Sequence, residues 1–198
     1  MRVLVVANLW PSQLRPETGS FVRDQVDELR RLGVTVDVVS ASATSSRKTR
    51  LRYVPLVTAS LRASRRSCYD VVACHIAFPT GVVGMLCRRM GRARLVLHAH
   101  GSDVMALPYR SAAHFRAARM TFRSADHIVA NSLFIRNALV EQFDVSASRV
   151  SVVSPGVAPG FFAGPGRVRR TGILYVGRLV AEKGLGTLIE AIGEVSRS

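Results

Sequence analysis

Short apolar runs alternate with helix-length segments along almost the whole chain. Such runs are typical of strands that are buried on both faces of a parallel sheet, and the segments between them are typical of the helices that cover it. The sequence therefore predicts an α/β fold with a doubly wound parallel sheet. The predicted strands are residues 3–7, 35–40, 71–75, 95–99, 127–130, 150–153 and 172–176.

Helical spacing of apolar residues predicts the helices. In the segment 20–32, Val22, Val26 and Leu29 lie on one helical face, and Gly33 follows where a helix would end. The chain thus opens with a strand, a helix and a strand, as a Rossmann-like domain does. Further helices are predicted over residues 80–90, 112–124 and 133–143.

Residues 154–170 differ in composition from the rest, because Pro and Gly recur there at short intervals. This composition predicts a linker between an amino-terminal domain, 1–153, and a second segment, 171–198. The second segment has about 30 residues, too few to enclose a core of its own. We therefore expect it to be the incomplete first β-α unit of a second, truncated domain, unless it packs onto the first.

Composition excludes several classes of protein. No apolar run reaches the roughly 20 residues that span a bilayer, and the amino-terminal run is too short for a signal peptide, so we expect a cytoplasmic protein. Cys68, Cys74 and Cys87 lack the spacing of a disulfide framework or a zinc site, which indicates reduced thiols. The net charge of +15 favours phosphate-rich partners, namely anionic lipid, nucleic acid or a diphosphate substrate, although a genomic arginine bias would explain part of it.

Candidate functional residues follow the predicted strands, at the edge where doubly wound sheets bind ligands. Gly19 ends the loop after the first strand at a predicted helix N-terminus, where it would either let an anion approach or simply form a turn. His75 and His100 end the third and fourth strands. A neutral imidazole held there can donate a hydrogen bond to a substrate hydroxyl or accept one from it. The alternative is that each histidine only bonds a buried backbone group. His98 is expected to be structural.

Two further positions at strand ends carry charge. Asp103 has three roles open to it: it could orient His100, bind a hydroxyl, or cap the following turn. Arg178 and Lys183 lie in the loop after the predicted strand 172–176, ahead of a helix. A guanidinium, an ammonium group and a helix N-terminus together would stabilise a diphosphate leaving group.

These motifs resemble those of the family 4 glycosyltransferases, which have the GT-B fold. The motifs after the first and fourth strands most resemble enzymes that build bacterial envelope polysaccharides, those of teichuronic-acid type among them. The resemblance rests on Gly-Ser-Phe-Val at 19–22, His75 with Phe-Pro-Thr-Gly at 78–81, His-Gly-Ser-Asp-Val at 100–104, Asn131-Ser132, and Gly-Arg-Leu-x-x-Glu-Lys-Gly at 177–184.

The resemblance implies a retaining transferase that moves a sugar from a nucleotide-sugar donor to a hydroxyl of a glycan or lipid-linked acceptor, with no cofactor and no required metal ion. It implies that His100 is the catalytic residue beside the reacting sugar. It also implies that Arg178 and Lys183 bind the donor diphosphate and that Gly19 shapes the loop facing it. The residues assigned to the acceptor or sugar side are His75, Asp103, Asn131 and Ser132.

The chain departs from the family pattern in two respects. Where the family linker commonly carries Asn-Gly-Val-Asp, this chain has Pro155-Gly156-Val157-Ala158. The family's two glutamates, seven residues apart, which contact the donor sugar and nucleotide, belong to a later part of the second domain than these 198 residues contain. We therefore expect this polypeptide alone to transfer no sugar, and an inactive fragment or a binding module is the alternative reading.

Residues 47–66 interleave cations with apolar side chains. Such a segment favours contact with an anionic membrane, here the inner face of the cell membrane, the alternative being an ordinary solvated surface. Pro55 is predicted to break a continuous amphipathic helix there.

Two rival functions fit the sequence less well. A dinucleotide-dependent dehydrogenase would need a glycine fingerprint and an acidic residue after the second strand, where Ser40 and Ala41 stand. A nucleic-acid binder would agree with the charge, but the chain has no recognisable helix-turn-helix or RNA-binding signature.

Overall fold

The structure is a computed structural model that describes residues 1–41, 53–157, 172–177 and 179–196. The chain divides into two compact units, Met1–Gly156 and Val157–Ser198, and each is described by itself. The division lies inside the predicted linker 154–170. Arg178 and most of that linker lie outside the described residues.

The first unit is built on a six-stranded parallel sheet in the order β2-β1-β3-β4-β5-β6. This topology confirms the predicted Rossmann-like α/β fold. Each strand agrees with its predicted range to within one residue at either end, because strands buried on both faces are unbroken apolar runs in the sequence. The strands are β1 (Arg2–Ala7), β2 (Thr35–Ser40), β3 (Val71–His75), β4 (Arg94–Ala99), β5 (His127–Ala130) and β6 (Val150–Val152).

Helices connect the strands. In the first unit they are α1 (Ser20–Arg31), α2 (Tyr53–Arg66), α3 (Ala77–Arg89), α4 (Ser102–Met105), α5 (Ala112–Ser124) and α6 (Leu133–Phe143). The second unit contains α7 (Leu185–Val195). Single 3₁₀ turns occur at Pro108–Arg110, Ala147–Arg149 and Ala181–Lys183. None of the described helices is long and apolar enough to cross a membrane.

The helices are distributed unequally over the two faces of the sheet. The connection from β1 to β2 runs in one direction along the sheet, and every later connection runs in the other direction. Because crossovers between parallel strands are right-handed, α1 lies on one face of the sheet and α2, α3, α5 and α6 lie on the opposite face. On the α1 face, Val22 and Val26 pack with Val3, Val5 and Val36. The larger core lies on the opposite face, where Phe122, Leu139 and Phe143 are fully buried.

One sequence prediction about the elements is wrong, and two others need comment. Pro55 lies in the first turn of α2, where a backbone N–H has no partner within the helix and proline is tolerated. Its predicted break of a helix over 47–66 stays a prediction, because residues 47–52 lie outside the described part of the chain. Helix α3 has a kink at Phe78, whose φ of −129° and ψ of 130° are not helical, so its regular part begins next to the predicted residue 80. Residues 172–176 form no strand, since none of the described segments pairs with them, and an unpaired strand leaves its backbone groups unsatisfied.

Candidate functional site

Four aromatic side chains meet at the carboxyl edge of the sheet, on the face that α1 covers. The imidazole rings of His75 and His98, from neighbouring strands, are stacked with centroids 4.3 Å apart. The ring of His100 lies 5.6 Å from that of His75. Phe21, in the first turn of α1, places its ring 4.8 Å from that of His100. We call these four residues the histidine cluster.

Strand alternation and register explain why these histidines meet. Successive side chains of a strand point to opposite faces, so Cys74 enters the larger core while His75 points to the α1 face. The register of β3 and β4 then sets His98 directly beside His75. His100 follows the end of β4 and turns back onto the same face.

Burial makes all three imidazoles neutral at pH 7. It lowers the pKa of His75 to about 2, and the neighbouring His98 and His100 lower it further in the same sense. Burial, with a smaller effect of His100, lowers the pKa of His98 to about 4. Burial also lowers the pKa of His100, although the nearby carboxylate of Asp103 opposes that shift. A neutral imidazole can donate one hydrogen bond and accept another.

Polar atoms of the site lack hydrogen-bond partners. Nε2 of His100, Nδ1 of His75 and Oδ1 of Asn131 are buried and unpaired in the part of the chain that the structure describes. Most buried polar atoms in proteins are bonded, so each of these requires an explanation. These three atoms are therefore the unused hydrogen-bonding groups of the site.

Asp103 holds the backbone around His100. Its side chain is fully buried, and its carboxylate accepts hydrogen bonds from the backbone N–H of His100 at 3.0 Å, of Gly101 at 2.8 Å and of Ala77 at 2.7 Å. Gly101 has φ 127°, a conformation that favours glycine. Of the three roles open to Asp103, the geometry supports the orientation of His100, because both carboxylate oxygens already accept from backbone N–H groups, that of His100 among them.

Asn131 and Ser132 also have structural bonds. The side-chain amide of Asn131 donates to the backbone carbonyl of His100 at 2.9 Å, so both backbone groups of His100 are held by side chains. The hydroxyl of Ser132 accepts from the N–H of Ile135 at 3.3 Å and caps α6. Their assignment to the acceptor or sugar side stays a prediction beside these roles.

Gly19 is required by its conformation and by its contacts. It is the N-cap of α1 and has φ 72°. A Cβ atom there would lie 2.6 Å from the carbonyl carbon of Leu9 and 2.8 Å from the backbone nitrogen of Trp10. The N-terminus of α1 is therefore packed against the loop after β1, and it carries Phe21 into the histidine cluster.

In the second unit, Lys183 is exposed and ends the 3₁₀ turn that precedes α7. Gly184 follows with φ 67° and forms the N-cap of α7. The cation and the helix N-terminus are thus neighbours, as the loop motif predicts. Whether Lys183 and Arg178 bind a diphosphate stays a prediction.

The sequence motifs alone do not assign a role to Phe21, although its position two residues after Gly19 is a signal for one. His98 is buried and stacked on His75, which agrees with the structural role expected of it. Among the described residues, no group of three or more His, Cys, Asp or Glu side chains could hold a metal ion.

Comparisons with known proteins agree with this architecture. The model of Glycosyltransferase Family 4 matches residues 18–161. TuaC of Bacillus subtilis, described as a teichuronic acid biosynthesis glycosyltransferase, is 26% identical over an alignment that covers 100% of this chain and 64% of TuaC.

Two solved structures share the fold. A glycosyltransferase from Rickettsia africae superposes with a TM-score of 0.58 and 16% identity, over 82% of this chain and 45% of that one. HepE of Anabaena, in complex with UDP-glucose, superposes with a TM-score of 0.51 and 19% identity, over 81% of this chain and 47% of HepE. The chain thus spans less than two thirds of TuaC and about half of each solved structure. The sheet and its helices correspond to the amino-terminal half of the GT-B fold, and because the family model matches most of the sequence, the chain belongs to glycosyltransferase family 4.

Proposed function

We propose that this chain is the acceptor-side part of a retaining glycosyltransferase. The enzyme transfers a sugar from a nucleotide-sugar donor to a hydroxyl of a glycan or lipid-linked acceptor, in the synthesis of a bacterial envelope polysaccharide. The observation that carries the proposal is His100: a neutral imidazole at the carboxyl edge of the sheet, fixed by Asp103 and Asn131, whose Nε2 has no partner among the described residues.

The chemistry of the transfer suits this arrangement. The bond between the anomeric carbon and the diphosphate oxygen breaks, so negative charge grows on the diphosphate as the sugar departs. Arg178 and Lys183, the latter beside the N-terminus of α7, would stabilise that charge. His100 would bind a hydroxyl of the reacting sugar and orient it, which its neutral state and fixed backbone permit.

The relatives support the finer parts of the proposal. HepE has been solved with UDP-glucose, which supports a nucleotide-sugar donor. The described role of TuaC supports the envelope pathway. We propose in addition that no metal ion is required, because His100 and the cations of the 178–183 loop would provide the electrostatic stabilisation.

Release of nucleoside diphosphate from a panel of nucleotide sugars tests the proposal. The assay uses the longest reading frame that contains residues 1–198, with lipid-linked and free glycans as acceptors. We expect turnover that EDTA does not reduce, and a product whose anomeric proton coupling matches that of the donor. His100→Ala should lower turnover at least a hundredfold, whereas His114→Ala, an exposed histidine of α5, should not.

The 198-residue chain alone should release no nucleoside diphosphate. Measurable turnover by it would contradict that expectation while supporting the reaction. If the longest reading frame binds a nucleotide sugar without turnover, the binding-module alternative is correct and the enzymatic proposal is wrong.

The membrane-facing interpretation of residues 47–66 belongs to the same proposal, since a lipid-linked acceptor lies in a membrane. Residues 47–52 lie outside the described part of the chain. Residues 53–66 form α2, whose Arg62, Arg65 and Arg66 are exposed.

A further inference from the structure

Charge is distributed unequally over the two faces of the first unit. Helices α2, α3 and α5 lie side by side on one face, and together they contain eight arginines and no Asp or Glu. We call these eight residues the arginine face. They are Arg62, Arg65 and Arg66 of α2, Arg88 and Arg89 of α3, and Arg116, Arg119 and Arg123 of α5.

Helix α1, on the opposite face, is balanced in charge. It has three arginines and three acidic residues, and they form ion pairs within the helix, as Arg23 with Asp24 and Arg31 with Glu28. A genomic preference for arginine would raise the number of arginines on both faces, but it would not leave three adjacent helices without a single carboxylate. The asymmetry therefore indicates a role for the arginine face.

Most of the arginine face is available to a partner. Seven of the eight side chains are exposed, Arg88 being the half-buried one. Carboxylates near the face reach two of them: Asp126 pairs with Arg88 at 3.2 Å, and Asp144 pairs with Arg119. Arg89, Arg116 and Arg123 have no carboxylate partner in the described residues. Arg89 lines a shallow groove between α3 and α5, and Arg116 and Arg123 line a second groove along α5.

The shape of the face is broad and even. Each of the three helices has 13 or 14 residues. Helices of that length packed side by side cover roughly 20 Å by 30 Å, wide enough to contact several lipid headgroups at once. The exposed apolar side chains of Val54 and Met120 lie on the same helices and would enter the headgroup region.

From these observations we propose that the arginine face binds the anionic surface of a lipid bilayer. Nucleic acid is a poorer fit, because the Phe and Tyr side chains of the three helices are buried or half-buried and offer no exposed platform for base stacking. The proposal extends to α3 and α5 the membrane contact proposed above for residues 47–66, and it rests on charge and exposure outside the histidine cluster.

Binding in this way leaves the histidine cluster open. Helices in such a sheet run opposite to the strands, so the arginines near the ends of α2 and α3 lie toward the amino edge of the sheet. His100 lies at the carboxyl edge, on the α1 face. Within the first unit, binding through the arginine face therefore does not cover the edge where His100 lies.

Flotation with liposomes of phosphatidylglycerol and phosphatidylcholine, against liposomes of phosphatidylcholine alone, tests the proposal on the 198-residue chain. We expect binding to the anionic liposomes only, weakened by salt. The triple variant Arg89→Gln, Arg116→Gln, Arg123→Gln should lose at least tenfold in partition coefficient, because each arginine near an anionic surface contributes to binding. The matched control removes the same charge from α1, with Arg23→Gln, Arg30→Gln and Arg31→Gln, and should bind within about twofold of the unchanged chain.

Thermal unfolding of both triple variants establishes that each is folded. The proposal is overturned if the two variants lose binding equally, or if the unchanged chain does not float with anionic liposomes. It is also overturned if the chain does not bind liposomes but binds duplex DNA or RNA through the same arginines. None of these results depends on whether the protein transfers a sugar.

Discussion

The rings of His75 and His98 lie 4.3 Å apart and within 10° of parallel, on adjacent strands in register. Two buried imidazoles at this distance cannot both carry a charge without a large loss of stability. The histidines at the carboxyl edge of the sheet are therefore neutral in the folded protein, and the stability of the fold should depend on pH.

Stability should fall as the pH falls below about 6.5. An unfolded histidine has a pKa near 6.5, whereas folding lowers the pKa of His75 to about 2 and of His98 to about 4. Between pH 6.5 and 4 the unfolded chain thus binds more protons, so the stabilisation is complete above pH 6.5 and decreases below it. At pH 5 the two histidines together should reduce the free energy of unfolding by up to about 4 kcal/mol. Urea unfolding at pH 7 and pH 5 measures this.

A variant isolates the contribution of one ring. His98→Phe keeps an aromatic side chain in the stack but cannot bind a proton, so it should reduce the pH dependence by about half. Asp103 acts in the opposite sense, because burial raises its pKa, so the folded state binds a proton there at a higher pH than the unfolded chain does. An unchanged pH dependence in His98→Phe would show that the cluster is not the cause.

Asp103→Asn should destabilise the protein by about 2 kcal/mol or more, because an amide has one acceptor oxygen where the carboxylate has two, and its NH₂ group would face backbone N–H donors. The imidazole NMR signals of His100 should shift, since its backbone is no longer held. Asp24→Asn, which changes an exposed carboxylate of α1, is the control and should leave both measurements unaltered. Equal effects of the two substitutions would disprove the positioning role.

Gly19→Ala and Gly33→Ala form a matched pair. Both glycines have positive φ, 72° and 79°, so both substitutions carry the same backbone cost of about 1 kcal/mol. Only at Gly19 would the new Cβ meet backbone atoms, at 2.6 Å, while Gly33 has nothing within 4 Å. Gly19→Ala should thus lower the free energy of unfolding by at least about 1 kcal/mol more than Gly33→Ala, measured by urea unfolding. Indistinguishable losses would mean that the contact with Leu9 is not tight.

Gly84→Ala should be strongly destabilising, by about 1 to 3 kcal/mol, because α3 packs so closely on the sheet that a Cβ would lie 2.5 Å from Sγ of Cys74 and 2.6 Å from Cδ1 of Leu95. Gly91→Ala, after the end of α3, meets nothing within 4 Å and should change stability by less than about 0.5 kcal/mol. Thermal melting compares the two. A tolerated Gly84→Ala would indicate that α3 can move away from β3.

Local patterns in the sequence were enough to predict most of the fold. Strands β2, β3 and β5 match their predicted ranges, and so do α5 and α6. These elements depend on neighbouring residues: apolar runs for buried strands, and the hydroxyls of Ser111 and Ser132 as N-caps. The strand predicted over residues 172–176 was wrong, because a strand needs a paired neighbour, which an apolar run by itself does not specify.

By itself, the sequence determined the order of the six strands of the sheet and that histidines would lie at two strand ends, because both follow from periodicity and motif. Only the tertiary structure decided which groups those histidines meet. The stack of His75 on His98 follows from the register between β3 and β4, and the burial of Asp103 follows from its bonds to Ala77, 26 residues away. The gathering of eight arginines on one face follows from the direction of the crossovers. Each of these depends on segments distant in sequence, and for that reason no local pattern contains it.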